Sequence, residues 1–184
     1  MPVTSQGYQL NKQPIAQSFY VDEPNGIYCT RVELFFHSKK DSQNDDTTLP
    51  VQIQLRPMVN GFPSSSEIIP GTIVHKRATA VNVDNEGPDL TPTSFDFDEP
   101  VFLKGKEDYA LVVIADSKDY RIYVAEINEF VFGSTARRIA KQPTLGSLFF
   151  SQNGVTFTAS QNADLTFKIY KTAFKNSFAT AVFH

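Results

Sequence analysis

The chain has 184 residues, 41% of them hydrophobic and 20% charged, with a formal net charge of −3. That suffices for one domain with its own core, burying roughly 70% of the unfolded chain's surface and needing no disulfide or metal staple. Nucleic-acid binding lacks its basic patch, no apolar stretch approaches the roughly 20 residues that span a bilayer, and a single cysteine, Cys29, forms no internal disulfide.

Residues 1 to about 14 read as an N-terminal extension. "MPVTSQGYQLNKQP" lacks the charged and apolar regions of a signal peptide, and no Asn-x-Ser/Thr acceptor occurs, so secretory export is not expected. Strands are expected over residues 15–21 and 27–37. In the second, "RVELFFHS" turns Val32, Leu34 and Phe36 inward and leaves Phe35 outward.

The loop "KKDSQNDDTT" follows. Asp41, Asn44, Asp45 and Asp46 are the hard oxygen donors that calcium prefers, though their spacing is not that of an EF-hand and its glycine is missing. A solvated loop explains the same residues, and so it does for "VDNEGPD" further on.

"PVQIQLRP" alternates strictly, with Val51, Ile53 and Leu55 against Gln52, Gln54 and Arg56. A strand is expected over residues 72–83. "SFDFDEPV" alternates Phe95 and Phe97 with Asp96 and Asp98. "DYALVVIAD" is apolar on both parities, the mark of a central strand covered on both sides. In "YRIYVAEI", within a strand expected over 120–127, Ile122 and Val124 turn in and Tyr123 out. "FVFGSTARRIAKQ" is the nearest thing to a helical stripe, short and broken by Gly133.

From Gln142 the chain reads "QPTLGSLFFSQNGVTFTASQNADLTFKIYK", rich in strand formers and without His or Cys. Phe149 and Phe150 are adjacent, so one of them faces away from the core. In the last strand Leu165, Phe167 and Ile169 oppose Thr166, Lys168 and Tyr170. Residues from about 174 to 184, with Phe178, Val182 and Phe183, read either as a strand docking back or as the start of a further domain.

Asn-Gly pairs at Asn25-Gly26, Asn60-Gly61 and Asn153-Gly154 supply the positive φ of tight turns. The first and third lie between expected strands. The second opens a Pro/Ser-rich loop and is the weaker hairpin signal. Polar loops fall at 38–49, 64–70, 84–92 and 128–146. No internal repeat or linker divides the chain. The expectation is a single all-β domain over 1–184, a two-layer antiparallel β-sandwich, jelly-roll-like, of about ten strands.

Chemistry is sparse. His37, His75 and His184 fit no zinc spacing, no Gly-x-Ser-x-Gly elbow occurs, and no glycine motif for phosphate is present. No enzyme activity and no cofactor are expected. With 16 Phe and 7 Tyr, some rings must face out. The interaction-surface candidates are Phe35, Tyr123, Phe149, Phe150 and Tyr170, which either lie under loops or form a contact face. Rings flanked by amides could also stack on sugars, a reading that the absence of Trp disfavours.

Four stretches in one order, "PIAQSFYVDEPNGIYCTRVELFFHSK", "LPVQIQLRPMVNGFPSS", "FDFDEPVFLKGKEDYALVVIADSKDYRIYVAEI" and "KQPTLGSLFFSQNGVTFTASQNADLTFKIYKTAF", cover most of the chain. Together they resemble a structural module of baseplate and tail-associated proteins of contractile-tailed bacteriophages (myoviruses), itself similar to carbohydrate-binding sandwich domains. The resemblance implies a virion component assembled in the host cytoplasm and holding other tail proteins, with no catalytic residues to carry over. A host glycan and a second copy of the chain, in a homo-oligomer, are further partners that the sequence leaves open. Membrane insertion is not among them. Similar modules can carry a tryptophan after the last Asn-Gly turn, where this chain has Phe157.

Overall fold

The computed structural model describes residues 8–9, 14–39, 50–84, 90–115, 117, 119–131, 134, 136–140, 146–160 and 162–174. Among them the chain forms β1 (Tyr8–Gln9), β2 (Ile15–Tyr20), β3 (Ile27–Leu34), β4 (Phe36–Ser38), β5 (Val51–Val59), β6 (Phe62–Pro63), β7 (Val74–Lys76) and β8 (Thr93–Leu103). It continues with β9 (Asp108–Ala115), β10 (Arg121–Ile122), β11 (Val124–Glu126), β12 (Leu148–Ser151), β13 (Phe157–Ser160), β14 (Ala163–Leu165) and β15 (Phe167–Lys171). No α-helix occurs among the described residues. The fold is all-β, antiparallel and sandwich-like, as the period-two pattern leads one to expect.

The larger sheet runs β13-β12-β2-β9-β5-β6, with β7 also on β5. The second layer is built on β15-β3-β8, with the short sheets β1-β10-β4 and β11-β14 beside it. These pieces join through single residues. The Tyr123 N–H donates to the Phe35 carbonyl at 2.9 Å, and the Thr166 N–H donates to the Tyr123 carbonyl at 3.1 Å. Phe35, Tyr123 and Thr166 therefore only interrupt three longer strands, β3–β4, β10–β11 and β14–β15. Sequential strands β2, β3, β5, β8 and β9 lie alternately in the two layers, a jelly-roll-like winding.

The main core lies between the layers. Val51, Ile53 and Leu55 from β5 meet Val32, Leu34, Phe95 and Leu103 from the opposite sheet, all fully buried. Each such side chain contributes about 1.5–3 kcal/mol through loss of apolar surface to water. β9 sits between β2 and β5, and both of its faces are covered. A buried polar pair also spans the layers. Gln17 donates to Asp164 Oδ1 at 3.1 Å and accepts from the Leu165 N–H at 2.8 Å.

Three local readings change. The strand expected over 72–83 is confined to β7, because the chain then turns through a 3-10 turn at Ala78–Ala80. There Lys39 donates to the carbonyls of Ala78 and Val81. The expected N-terminal extension contributes a strand, since β1 pairs with β10. Among the turns, the weakest hairpin signal is the tightest hairpin. Asn60 and Gly61 both have positive φ (52° and 81°), and they close β5 on β6 with Val59 opposite Phe62. Asn25-Gly26 instead carries the chain from one layer to the other.

Candidate interaction surface

The outer face of β15-β3-β8 carries a graded surface, polar at one end and aromatic at the other. Register sets the rows: Lys168 opposite Glu33 opposite Ser94, then Tyr170 opposite Arg31 opposite Asp96. Glu33 is only 6% exposed, so its carboxylate needs partners. The Tyr170 hydroxyl donates to it at 2.8 Å, Arg31 Nε lies at 3.7 Å and Lys168 Nζ at 3.8 Å. The Arg31 guanidinium also covers the Tyr170 ring at 4.0 Å. The hydrogen bond to Glu33, then burial, raise the Tyr170 phenol above its ordinary pKa.

The next row is aromatic. Tyr28 on β3 pairs with Phe102 on β8, their centroids 5.1 Å apart, and Phe174 stands edge-on to Tyr28 at 5.5 Å. All three rings are exposed, Phe174 to 72%. Gly26 is required beneath them. Its φ is +75°, and a Cβ there would stand 2.7 Å from the Phe102 ring and 2.4 Å from the Leu103 carbonyl oxygen. Beside Phe102 lies an open depression of about 620 Å³, lined by Ile69, Pro70, Ile73, Asp98 and Glu99. The ion pair Lys171–Glu23 closes the sheet end nearby.

Sequence parity misses Tyr28 for a definite reason. Val32, Leu34 and Phe36 face in, so even-numbered residues of this strand should all be inside. The register shifts between Cys29 and Arg31, however, and Cys29 is buried while Tyr28 is exposed. Such an irregularity turns the remainder of the strand over. Phe102 and Phe174 are rings that the pattern could have flagged. Phe102 shares parity with Asp96 and Asp98.

Of the five rings expected on the surface, three are buried and two, Phe150 and Tyr170, are half-exposed. Phe35 (5% exposed) and Tyr123 (0%) do leave the main core, as parity requires, but they pack on each other with Leu90. The Tyr123 hydroxyl donates to the Asp84 carbonyl at 2.8 Å, and burial pushes its pKa up to about 12. Phe149 (2% exposed) also faces away from the main core, into a second cluster with Ala16, Ala110, Val112 and Phe157 on the outer side of the large sheet. Phe150 is half-buried against the main core, and Tyr170 is half-buried in the network above. Phe35, Tyr123 and Phe149 are therefore structural, because a second layer of cover closes over them.

That second cluster arises because the large sheet coils. The turn of the β12–β13 hairpin comes over to meet the β5–β6 hairpin, and Arg56 locks the two together. Its Nη1 donates to the Ser64 carbonyl at 2.9 Å and to the Gly154 carbonyl at 3.1 Å. Phe62 lies edge-on to Phe149 with centroids 6.0 Å apart. At this junction Val59, Phe62 and Val155 are about half exposed, around a depression of about 610 Å³.

Among the described residues no group of three or more His, Cys, Asp or Glu could hold a metal ion. The calcium candidates Asp41, Asn44, Asp45 and Asp46, like most of "VDNEGPD", lie outside the described residues, as do His184, Phe178, Val182 and Phe183. His75 bonds Gln52 at 2.9 Å, and burial lowers the pKa of His37, which stands edge-on to Tyr123. Burial raises the Cys29 thiol to about 11, which keeps it protonated and unreactive at neutral pH. No described helix is long and apolar enough to cross a membrane. Searches against protein-family models, curated proteins and solved structures return no match.

Proposed function

We propose that this chain is a non-enzymatic structural module of a contractile phage tail, at or near the baseplate, which works by docking onto neighbouring virion proteins. Docking is supported by one observation, the exposed row Tyr28, Phe102 and Phe174. Rings packed on one another but open to water on one side lose apolar surface when a partner covers them, and contiguous exposed patches of this kind mark contact sites. The polar network around Glu33 would form the rim, where charges tune orientation more than affinity. The virion setting rests on the sequence resemblance alone.

Mass spectrometry of purified particles tests the setting, and absence of the polypeptide from particles overturns it. Phe102→Ser with Phe174→Ser tests the surface. Both rings are exposed, so the fold should stand while retention in assembled tails falls. Retention unchanged by the pair of substitutions removes this face from the docking role.

A second reading has its own observation. The depression beside Phe102 holds the carboxylates of Asp98 and Glu99 next to an exposed ring, the pairing a sugar uses for stacking and hydroxyl hydrogen bonds. A glycan array probed with the wild type and with Phe102→Ser decides it. Hits lost in the variant support a host-glycan site, and an array without hits rejects it.

A further inference from the structure

Among the described residues, the outermost strand of the large sheet, β13, is bonded on one side only. Its partner is β12, and no other described strand pairs with it. Thr158 and Ala159 at its centre are exposed. A free edge of this kind is a template for another strand, and proteins usually blunt it with charge or proline.

Longer outer strands follow that rule. β8 carries Asp96, Asp98, Glu99 and Pro100, β15 carries Lys168 and Lys171, and even the short β7 ends on Lys76. β13 carries nothing of the sort. From Gln142 to Ala163 there is no charged side chain, in a chain that is one-fifth charged. Apolar residues flank this edge: Val155 and Phe62 are half exposed around the depression that Phe157 also lines, with Glu67, distant from β13 in sequence, in its wall.

We propose that β13 pairs antiparallel with β13 of a second copy about a two-fold axis, joining two large sheets into one. An uncharged edge lets a copy of the same chain approach despite its net charge. The protein is net negative, so two copies repel, and the contact with least Coulombic cost is the uncharged one. The strand is also its own complement. A register centred on Thr158 sets Thr158 against itself, Thr156 against Ser160, and Phe157 against Ala159. Hydroxyl then meets hydroxyl on one face, and large meets small on the other. A two-fold contact uses the same surface twice and closes at two copies, so the edge is consumed rather than propagated. This holds or fails whether or not the chain belongs to a phage particle.

Sedimentation of the full chain over a range of concentrations tests it. The wild type should show a dimer. Thr158→Lys places like charges face to face and should leave only monomer, as should Thr158→Glu. Mixing the two variants should restore the dimer, a result that misfolding of either one cannot produce. Thr158 is exposed, so each variant should keep the wild type's far-ultraviolet circular dichroism, while its thermal midpoint falls only by what dimerisation adds. A wild type that stays monomeric at every concentration overturns the proposal and leaves the edge to a strand of another protein. A dimer that survives Thr158→Lys, or variants that fail to recombine, also overturns it.

Discussion

Tyr123 shows how much one residue can carry. It is fully buried, its backbone joins two strands, and its hydroxyl reaches the Asp84 carbonyl. Tyr123→Phe keeps the ring and drops the bond, so it should cost about 1–2 kcal/mol in chemical denaturation. The phenol's folded pKa is raised, to about 12 from an ordinary 10.0. A group that holds its proton more tightly in the fold contributes stability that is whole below about 10 and is lost as pH climbs through 12. Denaturation midpoints measured at rising alkaline pH should therefore fall more steeply in the wild type than in Tyr123→Phe. Gly26 is the other residue with no substitute. Gly26→Ala meets both a positive φ and the Leu103 carbonyl, so a loss of about 1–3 kcal/mol is expected in thermal or denaturant unfolding.

At the scale of elements, the β12–β13 and β5–β6 hairpins act as a pair. The Asn153 side chain accepts from the N–H groups of Val155 and Thr156 and shapes the first turn. Arg56 ties that turn to the second hairpin, with its guanidinium buried and bonded to two carbonyls. Arg56→Leu leaves both carbonyls short of a donor and should cost about 2–3 kcal/mol. Hydrogen exchange in the monomeric Thr158→Lys background should then accelerate in β13 before it does in β9, because within the described chain β13 hangs on one neighbour and β9 on two. These elements also show what the sequence makes legible. The strand at Val51, Ile53 and Leu55 can be read from alternation alone. The hairpin at Asn60-Gly61 is partly hidden by the prolines and serines after it, which break the strand pattern without breaking the turn.

For the whole molecule, two layers share one main core and each covers extra rings on its outer side. Ile53 is fully buried in the main core, so Ile53→Ala should cost about 2–5 kcal/mol. Phe174→Ser on the exposed row should stay within about 0.5 kcal/mol of the wild type, since that ring is mostly in water. Denaturant unfolding of both variants separates a residue that holds the fold from one that is free to meet a partner. If Phe174→Ser destabilises as much as Ile53→Ala, the exposed row is structural and the docking surface lies elsewhere.

The sequence by itself determined the class of fold and its inner face. Side chains alternate along any strand for covalent reasons, so Phe95, Phe97 and Leu165 are inside whatever the strands pair with. It also determined that Phe35, Tyr123 and one of Phe149 and Phe150 turn away from that core. Only the tertiary structure decided whether those rings meet water, because cover on the outer side comes from residues distant in the chain: Leu90 over Phe35, and Phe62 over Phe149. The exposed row was likewise decided in three dimensions. A shift of register at Cys29 to Arg31 turns Tyr28 outward, and such shifts are settled by the pairing of two strands and not by either one alone.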